Sequence, residues 1–131
     1  MATQLDLKWV RETEDRLGGP LPADYVAVLR RRNGWYGVFD DEQWHFFSIF
    51  DKTDRKSTSK TAECIDRETT SLRKGFPYFP RDGVVVADNQ AGSYLYIRLD
   101  GTSDLFRFEL DGATSTRVGD VGDVLDTALE W

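Results

Sequence analysis

The chain has 131 residues, with 17 basic and 23 acidic side chains, a net charge of −6 and a single cysteine. That length suits one domain with its own core, and no apolar run approaches the ~20 residues that cross a bilayer. The lone Cys64 excludes an internal disulfide, and the charged opening MATQLDLKWVRETEDR lacks the apolar stretch of a secretory signal, so a cytoplasmic protein is expected.

In chain order, Trp9, Val10, Thr13 and Leu17 fall at helical spacing and predict a helix over 3–17, stopped by Gly18-Gly19-Pro20. A second helix opens at Pro22, whose missing N–H costs nothing in a first turn, and runs to the Asn33-Gly34 stop. Tyr25, Val28 and Leu29 mark its inner face. Strands are expected at 35–39 and 44–50, with Asp40-Asp41-Glu42-Gln43 as the turn. The run DKTDRKSTSK, 51–60, is polar without periodicity and reads as a mobile loop. Ala62, Ile65, Thr69 and Leu72 form a weaker helical stripe.

The stretch GFPYFPRDG is a stiff connector, because each proline holds the residue before it extended. The apolar period then changes to two, with strands at 84–87, 93–98, 104–109 and 114–118. Asp100-Gly101 and Asp111-Gly112 punctuate them as hairpin signals. Large apolar groups on both faces of 93–98 predict an interior strand. Val121, Val124, Leu125 and Ala128 make the closing stretch, 120–131, helical. The fold class is α+β: a largely antiparallel, mixed sheet of about six strands with helices packed on it, in one domain over 1–131.

Charge is uneven along the chain: residues 1–50 carry −2, 51–81 carry +3 and 82–131 carry −7. The acidic C-terminal half argues against direct nucleic-acid binding, since phosphates are repelled, and suits a basic protein partner. Catalytic templates fail one by one. His45 is the only histidine and sits between Trp44 and Phe46 in a strand; with a single cysteine it also excludes the usual zinc quartet. Carboxylate catalysis could draw on Asp40, Asp41, Asp88, Asp100 or Asp104, yet turn chemistry explains several of them and no pair stands apart.

From Asp88, a calcium loop would need Gly at position six and Glu at twelve, where Ser93 and Leu99 stand. A phosphate loop would need several glycines, a lysine and a following helix, whereas Gly92 is alone and a strand follows. Arg30-Arg31-Arg32 is read as cations favoured at a helix C-terminus. No cofactor is expected.

Two stretches, RLGGPLPADYVAVLRRRNGWYGVF (16–39) and FPYFPRDGVVVADNQAGSYLYIRLDG (76–101), resemble the SUKH superfamily. Leu21, Pro22 and Tyr25 match its Leu-Pro-x-x-Tyr helix opening, Asn33 and Gly34 the helix end, and Ala87, Asp88 and Gly92 the later strand and turn. The chain departs from the pattern where DNQA fills the space before Gly92.

The resemblance implies an α+β binding domain without catalytic residues. It also implies a cytoplasmic immunity protein whose partner is a cognate toxin, a basic nuclease domain being expected, with no membrane and a homodimer left open. Asp40, Asp41, Glu42 and Trp44 form one expected partner patch, and Asp88 with Tyr94 another. A regulatory adaptor, which expects disordered flanks, and a carboxylate-dependent hydrolase are the alternatives.

Overall fold

The computed structural model describes residues 5–130. Helix α1, Leu7–Leu17, starts where the Asp6 carboxylate accepts the Lys8 N–H at 3.0 Å and ends where Gly18 turns left-handed at φ 101°. It buries Val10, Thr13 and Leu17; positions 3 and 4 of the predicted helix lie outside the described residues. Helix α2, Ala23–Arg31, has Pro22 as its N-cap rather than inside its first turn, and buries Tyr25, Val28 and Leu29.

The Asn33-Gly34 stop does more than end α2. The Asn33 side-chain amide donates to the Ile49 carbonyl at 2.9 Å, and its oxygen accepts the Ile49 N–H at 2.7 Å. Gly34 adopts φ 84°, and a Cβ there would lie 2.9 Å from the Ser48 Cβ. Glycine is needed for both the backbone conformation and the close approach.

Strands β1 (Trp35–Phe39) and β2 (Glu42–Phe46) are joined by Asp40-Asp41 alone, at φ 54° and 61°. Two left-handed central residues match the twist of a tight hairpin, so Glu42 and Gln43 belong to the strand and not to the turn. The strand expected at 44–50 ends at Phe46; Phe47 still donates to the Val86 carbonyl at 2.9 Å, and beyond it the chain leaves the sheet's ladder. Ser48 makes an isolated parallel bridge to Cys64, and Asn33 holds Ile49.

The polar run 51–60 is not a loop throughout, because Arg55–Lys60 form helix α3. Its cause is a cap: the Asp54 carboxylate accepts the Ser57 N–H at 2.7 Å. None of its residues is buried, so no apolar stripe announces it.

Helix α4, Ile65–Gly75, lies against β3, Gly83–Asp88. The ladder from β3 to β4 (Ser93–Arg98) slips between Val85 and Ala87, and on the α4 side the Val85 N–H donates to the Thr69 hydroxyl at 2.9 Å. Arg73 ties three elements together by donating to the carbonyls of Gly83 and Leu17.

Strands β5 (Asp104–Glu109) and β6 (Thr114–Asp120) complete one side of the sheet. Helix α5, Val121–Thr127, starts on the Asp120 carboxylate, which accepts the N–H groups of Gly122 and Asp123. The closing helix stops there. Leu129–Glu130 form a short strand, β7, on β1, and Trp131 lies outside the described residues.

The strand order is β6-β5-β4-β3-β2-β1-β7, with each neighbouring pair antiparallel. The interior strands β3 and β4 bury Val84, Val85, Val86, Ala87, Leu95, Tyr96 and Ile97 to 2 % exposure or less. Among the described residues no helix is long and apolar enough to cross a membrane.

Candidate functional site

Directly opposed residues of antiparallel strands share a face. Tyr36 faces His45, His45 faces Asp88, and Asp88 faces Tyr94. These four therefore form a row across β1, β2, β3 and β4 on one face of the sheet. Trp35, Trp44, Phe46 and Ala87 alternate with them and occupy the other face, together with Glu42. The sheet thus separates the expected partner residues. Asp88 and Tyr94 lie together on one face, Glu42 and Trp44 on the reverse, and Asp40 and Asp41 are exposed at the hairpin tip.

On the Trp44 face the chemistry is closed. Trp44 is only 1 % exposed, so it offers no surface to a partner. The Arg107 guanidinium lies 5.3 Å from the centre of its ring. Glu42 and Glu109 both pair with Arg107, the Ser93 hydroxyl donates to Glu109, and the Asn89 amide donates to Glu42 at 3.3 Å. Hydrogen bonding to Arg107 holds Glu42 below the ordinary glutamate range, and bonds from Ser93 and then Arg107 do the same for Glu109. The same two carboxylates push the arginine further up.

On the opposite face no arginine or lysine pairs with the carboxylates among the described residues. Asp88 is half-buried, and its Oδ1 finds no hydrogen-bond partner among the described residues. Burial pushes its carboxyl up; neighbouring His45 pulls it down, and Glu63 adds to the rise. Burial also raises Glu68 from α4, with Asp88 and Glu63 adding to it. Tyr94 is raised by burial and then by Asp88 and Glu68.

His45 Nδ1 lies 3.1 Å from Glu63 Oε2, and the His45 ring stacks on Tyr36 at 4.4 Å between centroids. Tyr36 is 46 % exposed. Beside this row a groove of about 340 Å³ runs between Asn33-Gly34, Tyr36, His45 and Glu63. The surface is acidic, aromatic-flanked and partly desolvated. Such a surface can recognise a cation, because a guanidinium pairs with carboxylates and stacks on an exposed tyrosine ring such as that of Tyr36.

The other flagged groups are structural. Cys64 is buried at the start of α4, and burial followed by the neighbouring Asp66 carboxylate pushes its thiol up to about 11, far from a reactive thiolate. Arg30 donates to the Leu5 carbonyl, Arg31 pairs with Asp126, and Arg32 lies over Trp35 at 4.1 Å. The 87–93 turn is built by Asn89, whose side-chain oxygen accepts the N–H groups of Ala91 and Ser93, with Gly92 at φ 95°. Among the described residues no group of three or more His, Cys, Asp or Glu is placed to hold a metal ion.

Sequence reasoning missed Glu63, Glu68 and Arg107 as members of the two clusters and read His45 only as a strand histidine. Period-two alternation already placed His45 opposite in face to Trp44. The pairing of β2 with β3, which brings His45 to Asp88, leaves no local mark. The model of the SMI1 / KNR4 family (SUKH-1) matches residues 4–118. No curated protein and no solved structure matches the chain.

Proposed function

The chain belongs to the SMI1 / KNR4 family (SUKH-1), and on that premise we propose that it is an immunity protein that binds a toxin domain and neutralises it by covering the toxin's working surface. The observation that carries this reading is the row Tyr36, His45, Asp88 and Tyr94 with Glu63 and Glu68 around it. The fold pairs the carboxylates of the Trp44 face internally and leaves those of this face without an arginine. A basic nuclease domain supplies the missing charge, and the carboxylates stand in its substrate groove where phosphates would otherwise lie. Asp40 and Asp41 add two exposed carboxylates at the tip of the same hairpin. Glu42 and Trp44 act from the reverse face, by holding that hairpin in place through Arg107.

The test is co-expression with the toxin encoded next to this protein's gene, followed by co-purification. Restored growth and a stable complex are expected, with Asp88→Asn weakening the complex tenfold or more. No rescue and no complex would overturn the reading. A set of unrelated partners in its place would mark the protein as a regulatory adaptor.

A further inference from the structure

We propose that the outer edge of β6 is a second docking surface, which takes an extended basic segment of a partner protein by strand addition. β6 closes one end of the sheet and has β5 on one side only. Residues 114–117 are exposed. Alternate residues of such an edge turn their N–H and C=O groups outward.

Folded proteins blunt an edge with charge, bulges or proline. β6 does so only in its second half. Arg117 is tied to Asp104 at 2.8 Å, the ladder slips between Leu105 and Phe106, and Gly119 adopts φ 153°. Thr114, Ser115 and Thr116 carry none of these devices. At this open end an apolar hollow of about 570 Å³ lies between the stiff connector and the β5–β6 turn, lined by Phe76, Pro77, Tyr78, Leu110 and Ala113. Tyr78 is 76 % exposed. Phe108, at the floor of the hollow, stands opposite Ser115, so the hollow and one side-chain row of the edge share a face.

Charge selects the occupant. Between Asp104 and Asp123 five carboxylates accompany two arginines; Asp104 and Glu109 pair with Arg117 and Arg107 and Asp120 caps α5, which leaves Asp111 and Asp123 and a net acidic segment. A second copy would set this net acidic edge against itself, and like charges repel there. A segment with lysine or arginine at alternate positions gains from the same carboxylates, and an apolar residue at its end fills the hollow.

This surface lies on the same face as the Asp88 row, two strands beyond Tyr94's strand at the sheet's end, since Tyr94 stands opposite Phe108 and Phe108 opposite Ser115; its test uses no toxin and reads residues outside that row, so either reading can fail alone. The probes are two synthetic octapeptides, one alternating lysine with valine and ending in phenylalanine, the other with glutamate in place of lysine. Titrated into the ¹⁵N-labelled protein, the lysine peptide should shift amides at 76–78 and 110–117, slow hydrogen exchange at 114–117, and bind at least tenfold more tightly than the glutamate peptide. Tyr78→Ala should weaken it three- to tenfold with an unchanged melting temperature. Equal binding of both peptides, shifts centred on Tyr36, His45 and Asp88, or no response at the edge at millimolar peptide would each overturn the proposal. Concentration-dependent shifts at 114–117 without peptide would assign the edge to a second copy and overturn it equally.

Discussion

On the Trp44 face of the sheet Glu42 and Glu109 converge on Arg107, whereas on the opposite face Asp88 and Glu68 gather with Glu63 around His45. Both clusters are acidic and partly buried. Glu42 and Glu109 move down from the ordinary range on the first face, and Asp88 and Glu68 move up on the second. The difference is one anchored guanidinium. Where the chain provides it, the acids serve the fold; on the proposed reading, a partner supplies it on the other face.

The comparison breaks most severely at its anchor. Trp44→Ala removes a fully buried indole and the seat of Arg107, and should cost about 3–5 kcal/mol in urea unfolding. Arg107→Ala leaves Trp44 in place but strands two carboxylates. Discounted for their partial exposure, the expected loss at neutral pH is about 1–2 kcal/mol. Because Glu42 and Glu109 have folded values below their unfolded ones, the stability they contribute is present above about pH 4.5 and lost as pH falls through the folded values. The Arg107→Ala deficit should therefore shrink in acid.

On the other face the sign reverses. Asp88 and Glu68 have folded values above their unfolded ones, so their contribution is complete in acid, below the ordinary carboxylate range, and is lost as pH rises through the raised values. Asp88→Asn should thus stabilise the isolated protein at pH 7, by about 0.5 kcal/mol after discounting for exposure, and the gain should vanish at pH 3.5. The same substitution should weaken partner binding, so that stability and binding move in opposite directions. The finest test is an NMR titration of side-chain carboxyls. Glu42 and Glu109 should titrate below the ordinary glutamate range, and Asp88 and Glu68 above theirs. If all four titrate together, the distinction between the two faces fails.

Much of the fold was legible because its signals are local. The strands at 35–39, 93–98 and 104–109 form over the expected residues, since alternation and the Asp-Gly turns act within a few positions. Helix α3 was missed because a single cap, Asp54, holds a helix that buries nothing. The hairpin turn was read too long because two aspartates in left-handed geometry leave the flanking polar residues free to join the strand. The closing helix was read too far because Leu129–Glu130 answer to the edge of β1 rather than to their own helical stripe.

For the candidate site the division is sharper. Residue types and alternation alone determined that Asp88 and Tyr94 share a hairpin and that His45 and Trp44 face opposite ways, because both follow from the two-residue period of a strand. They also determined the Asn-Gly stop, which needs a left-handed glycine at that point. Only the tertiary structure decided that β2 lies against β3, that α4 and the residues leading into it bring Glu68 and Glu63 to Asp88, and that Arg107 crosses to Glu42 and not to Asp88. Those outcomes depend on which elements pack together. Such packing is set by the sum of many weak apolar contacts across the core, and no short segment carries it.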